Sequence, residues 1–137
     1  MKHYLNSALI YTVVGLSSGV FYREFTKIMD YTERTRLSLL HGHYISLGLF
    51  FFLFLLVLEK QFSWSQRPKT KGFVTLYNVG LNISGIGFLI RGLTEVLGTE
   101  MSSALDASIS GISGIGHIAL AVALVMILLR IKKAVLM

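Results

Sequence analysis

Three histidines sit inside apolar stretches of this chain. His41 and His43 open the run LSLLHGHYISLGLFFFLFLLVL (Leu37 to Leu58), and His117 lies in GISGIGHI (Gly111 to Ile118). An ionisable ring in such a run is costly, so it faces the interior of a bundle or answers a polar neighbour. Imidazole can move protons at neutral pH, bind a metal ion or ligate haem iron. Two further cations, Arg23 and Arg91, border apolar runs, with Glu24 and Glu95 close to them in sequence. His3 follows Met-Lys at the start of the chain and reads as a solvated residue. Other chemistries are excluded. There is no Cys, hence no disulfide, thiolate metal site or covalent c-type haem. No HExxH, GxSxG or Walker motif occurs, and no Asp falls within the apolar runs. Tyr22, Tyr44 and Tyr77 can assist proton movement, but no general base accompanies them.

The elements that position these groups are membrane spans. Leu37 to Leu58 contains no acid, Lys or Arg, and at about 1.5 Å per residue it reaches roughly 33 Å, enough to cross a bilayer core. Three more apolar stretches predict spans over about Leu5 to Tyr22, Phe73 to Ile90 (continuing helically to Leu97) and Ile109 to Ile131. With 137 residues, 53% hydrophobic and 15% charged, the chain has room for one membrane domain and no soluble one. A basic residue before an apolar run also describes a signal peptide, but no small-x-small cleavage site stands out and no soluble domain follows, so an uncleaved span is expected.

The joining segments set the orientation. Tyr22 to Arg36 is mixed in charge, Glu59 to Lys71 is basic and holds the single Pro and Trp, and Gly98 to Ala107 is slightly acidic. Pro68 marks a loop, and Trp64 is expected at the headgroup level. Eight Lys/Arg fall on the side of the N-terminus, second loop and C-terminus, against five on the other side, which carries six of the seven acids. That bias predicts both termini inside. The net charge of +6 is explained by topology, and no basic patch suggests nucleic acid. Four antiparallel helices with short loops predict an all-α up-down four-helix bundle.

Placed at 100° intervals, the polar and small residues form stripes. Ser110, Ser113, Gly114, His117 and Ala121 share one; Tyr11, Gly15, Ser18, Gly19, Tyr22 and Thr26 share another. The third span has two, Asn78, Asn82 and Gly85 on one side and Gly80, Ser84, Gly87 and Arg91 on the other. His41 and His43 are about 200° apart. His41 leans toward Ser38, Gly42 and Gly48, making it the preferred interior partner of His117, with His43 as the alternative. All these groups converge on the outer half of the bundle.

In a square bundle the second and fourth spans are diagonal, with axes roughly 14 Å apart. Histidines reaching inward across that gap can ligate one b-type haem, with Arg91 and Arg23 pairing with its propionates. A Cu or Zn site built from HxH and a distal His is the alternative, although HxH on a helix splays its rings. Each residue also has a structural reading. An interior His can simply hydrogen-bond across the bundle, an Arg can snorkel to headgroups, and Arg91 can pair with Glu95 at i, i+4.

GVFYREFTK (Gly19 to Lys27), Leu37 to Phe62, LYNVGLN (Leu76 to Asn82) and GISGIGHI resemble the small four-span bacterial family named domain of unknown function 2871. The resemblance covers nearly the whole chain and implies the four-span fold and a bacterial plasma membrane, but no function. The pattern His41-x-His43-x4-Gly48 is also similar to histidine-bearing spans of the haem-copper oxidase large-subunit superfamily. The chain has too few spans and histidines for a binuclear centre. The expectation is therefore a small membrane protein binding haem b near its outer face, for electron transfer, quinol exchange or haem handling. The alternatives are a packing or partner subunit with structural histidines, or a Cu/Zn-binding or transport protein. Homo-oligomerisation stays open.

Overall fold

The computed structural model describes residues 1–136. Among them there are four long helices and no strand: α1 Lys2–Ile28, α2 Leu37–Phe62, α3 Thr70–Leu97 and α4 Ser103–Val135. Each is long and apolar enough to cross a membrane. The helices overrun the expected spans at most ends, because their last turns continue into the interfacial segments; α1, for example, runs through the charged residues Arg23, Glu24 and Lys27.

The distribution of side chains is that of a membrane protein. Large apolar residues point outward, such as Val13 and Val57 at 65% exposure and Ile118 at 65%. The interior instead collects tyrosines, glycines and small polar residues: Tyr4, Tyr11, Tyr77, Gly80, Ser84 and Gly87 are buried. In lipid the outer face needs no water, while backbones and polar groups must find partners inside.

Local signals stop the helices. Gly98 adopts φ +61° after α3, and its N–H and that of Thr99 bond back to the carbonyls of Glu95 and Thr94, a glycine-terminated cap. Ser102 caps α4 by accepting from the Leu105 N–H at 3.3 Å. After α2 the chain turns at Ser63 (φ +47°), and Glu59 holds that turn by accepting from the Ser65 N–H at 2.9 Å and its hydroxyl at 2.7 Å. Trp64 is fully buried there, stacked on Tyr4 with ring centres 5.8 Å apart and donating to the Leu55 carbonyl. Trp64 lies just past the end of α2, and Tyr4 and that helix end enclose its indole.

α2 is not uniform. Leu37–His43 and Phe51–Phe62 are α-helical, but Tyr44–Phe50 between them is π-helical. α1 packs along α2, α2 against α3, and α3 against α4 in the most extensive pairing; α2 also meets α4 through its Phe51–Phe62 part, while no extensive pairing joins α1 to α4. The bundle is therefore a skewed one, with α2 and α4 across its short diagonal instead of the square expected.

Candidate functional site

The stripe Gly80, Ser84, Gly87 and Arg91 faces α4. A Cβ on Gly80 would lie 2.6 Å from the Leu120 nitrogen and 2.7 Å from the Gly116 oxygen, so the two backbones touch. Gly87 is covered by Ser113. Ser84 is fully buried and stands 3.2 Å from His117 Nδ1. Arg91 closes the row toward the C-terminal end of α3, paired with Asp106 at 2.7 Å and bonded to the Ser110 hydroxyl.

This close approach carries His117 to the flank of α4 that looks toward α2. Its Nδ1–H is held by the Ser113 carbonyl at 2.8 Å and by Ser84, whose own hydroxyl donates to the Gly80 carbonyl at 2.9 Å. His43 is held likewise, Nδ1 to the Leu39 carbonyl at 3.2 Å. A carbonyl acceptor makes Nδ1 the protonated nitrogen and leaves the Nε2 lone pair for another partner. The rings lie 6.2 Å apart, almost perpendicular at 81°. Phe88 of α3 completes a triangle, 4.7 Å from His43 and 5.7 Å from His117.

His41 goes elsewhere. Its Nδ1 bonds the Gly15 carbonyl of α1 at 2.9 Å, and the ring rests on Gly19, where an added Cβ would come 3.0 Å from Nδ1. The preference for His41 over His43 as neighbour of His117 is therefore reversed. The small-residue side of α2 is its contact with α1, and the histidine opposite it is the one that meets α4. Arg23 is also apart from the pair; its side chain is 81% exposed and its ion-pair partner is Glu24 at 3.8 Å. Arg91 and Glu95 do not pair with each other. Glu95 takes Arg36, through both the guanidinium and the backbone N–H at 2.8 Å, and so ties the first loop to the end of α3. Phe88 and Asp106 were not singled out by sequence; an aromatic within an apolar run, or an acid in a joining segment, gives no sign of what it will touch.

A second polar cluster joins α1, α2 and α3. Tyr11 donates to Asn78 at 2.6 Å and accepts from Asn82 at 2.9 Å, while Tyr44 reaches Asn82 Oδ1 at 3.5 Å. Tyr77 donates to the Leu47 carbonyl at 2.8 Å. The stripe of Asn78, Asn82 and Gly85 thus faces the tyrosines, and the polar groups of α1 and α3 satisfy one another across the membrane interior.

Among the described residues no group of three or more His, Asp or Glu converges as a metal site. The chemically open feature is a pair of imidazoles whose Nε2 atoms have no partner among the described residues, flanked by an aromatic ring and lying on the side of the charged end where α3 meets the start of α4. No curated protein and no solved structure matches the chain. A family model does match, over residues 1–134, with the four-helix membrane fold that family's sequence likeness implied. The chain belongs to the family described as Protein of unknown function (DUF2871).

Proposed function

We propose that this protein is a small haem-binding protein of the bacterial plasma membrane, with His43 and His117 as axial ligands to b-type haem and a role in electron transfer, quinol exchange or haem handling. The observation that carries the reading is the pair of rings 6.2 Å apart, both with Nδ1 committed to a carbonyl. An imidazole nitrogen sits about 2 Å from a bound metal, and adding a ring radius on each side places trans imidazole centres roughly 6 Å apart. Two ligands are too few for a structural zinc site, whereas haem supplies four nitrogens of its own. Phe88 stands 4.7 Å from His43 and 5.7 Å from His117, so a haem held by the pair would have to displace it. Arg91 is positioned for a propionate only by sharing itself with Asp106, and Arg23 is too remote to serve.

Purified protein should take up haemin with a sharp Soret band and the low-spin spectrum of six-coordinate iron. His43→Ala and His117→Ala should each abolish that spectrum, while His41→Ala leaves it intact. Absence of any Soret shift in the parent protein sinks the proposal. One observation favours a second reading. The bond from His117 to buried Ser84 also clasps α3 to α4, and a purely structural histidine would show as lost thermal stability in His117→Ala with no haem in the parent. Copper or zinc retained by the parent and lost in both variants would favour the metal-ion alternative.

A further inference from the structure

On the side of the molecule away from His117, α1, α2 and α3 leave a groove in the outer half. Its walls are Val14, Ser17 and Phe21 of α1 and Ile86 and Leu89 of α3, and its floor includes Tyr44 beside Gly85. The wall residues Ile86 and Phe21 are 53% and 41% exposed, so the groove opens sideways into lipid. No charged residue lines it.

Its deep end is polar. Gly85 has no side chain to shield the Tyr44 hydroxyl, which reaches over it. The hydroxyl's one partner among the described residues is Asn82 Oδ1 at 3.5 Å, the longest bond of its cluster. Asn82 spends its amide hydrogens on Tyr11 and the Asn78 carbonyl, so its oxygen has only that long bond. A buried hydroxyl with spare capacity, bordering an apolar groove, is costly unless a ligand meets it.

We infer that this groove binds a neutral, lipid-soluble quinone, its ring between Tyr44 and the α1–α3 walls and its tail in the bilayer. A quinone carbonyl accepts from the Tyr44 hydroxyl, and a quinol hydroxyl donates to the Tyr44 oxygen while that hydroxyl turns to Asn82, so both redox forms find a partner. An acyl chain leaves that hydroxyl unsatisfied, and an anionic headgroup finds no cation. The inference rests on the redox reading above for its purpose, although binding itself does not require haem.

The test is calorimetric titration of the purified full chain in detergent with menaquinone-4, with haem content measured separately on the same samples. The parent should bind. Ile86→Trp, which fills the groove from an exposed position, should abolish binding while the thermal transition is retained. Tyr44→Phe keeps the ring and loses the hydroxyl, and should weaken binding about ten-fold. His117→Ala should bind as the parent does, which separates this site from the haem proposal. No binding by the parent, equal binding by a folded Ile86→Trp, or displacement of menaquinone-4 by a saturated alcohol of similar length would each overturn the inference; the last would assign the groove to acyl chains.

Discussion

At the scale of single residues, the chemistry depends on what holds each histidine. His117 is oriented by Ser84 and the Ser113 carbonyl, His43 only by the carbonyl of its own helix. If the pair holds haem as proposed, Ser84→Ala should lower its affinity by about ten-fold, within the range expected for losing a group that orients a ligand. The axial spectrum should persist, and haemin titration reads both. Phe88 gives an independent check. If the pair holds haem, Phe88→Ala should bind it at least as tightly as the parent, and Phe88→Trp should block it, because the larger ring fills the space beside both histidines. Equal affinities in all three would mean that the iron does not sit there. The sequence made His117 legible, since Ser110, Ser113 and His117 share a stripe that does face a partner helix. It misdirected the choice between His41 and His43. A helical wheel tells which residues share a side but not which neighbour that side meets, and the glycine side of α2 meets Gly15 and Gly19 of α1.

At the scale of helices, the α3–α4 pair is set by glycine against backbone. Gly80→Ala would place its methyl 2.6 Å from the Leu120 nitrogen, where no side chain can give way. The cost should be about 1–3 kcal/mol, typical of overpacking, and His117 should move away from His43. Gly114→Ala serves as its control: a Cβ there meets nothing within 4 Å, so stability should not fall. Thermal unfolding in detergent compares the two. The repeated ISGIG strings mark these facing segments, Ile83–Gly87 on α3 and Ile112–Gly116 on α4, and Gly116 packs under Ile83 and Ser84. That much could be read from composition and period. The overrun of the helices into charged segments could not, because their last turns follow from hydrogen bonds and loop contacts such as Glu95 with Arg36.

For the whole molecule, four apolar helices and outward-facing large side chains make membrane integration plain. Orientation follows from charge. Eight basic residues against five predict both termini in the cytoplasm, so reporters fused after Gln66 and after Met137 should both read cytoplasmic. An external signal at either position would invert the arrangement and move the histidine pair to the inner leaflet. The bundle's skew was not readable in advance. Loop lengths say that neighbours are antiparallel, but the short diagonal between α2 and α4 is chosen by how closely glycines let α3 approach α4.

The π-helical stretch of α2 bears on chain length. A turn closed by i to i+5 bonds houses one residue more than an α-turn, and that surplus is absorbed locally. His43, just before Tyr44–Phe50, and Phe51, which stacks on Tyr77 at 4.1 Å just after it, are therefore in phase across a segment that is one residue over-full. Removing a single residue there, for instance the exposed Ser46, should let the segment close as ordinary α-helix with both ends left where they are. Removing the equally exposed Phe54 from the regular part should turn everything before it by about 100° relative to the rest of the helix. The shortened chain lacking Ser46 should insert and unfold like the parent, and the one lacking Phe54 should not. A one-residue gap in α2 would thus be a tolerated length variant at one place in the helix and a disruptive one a few residues later.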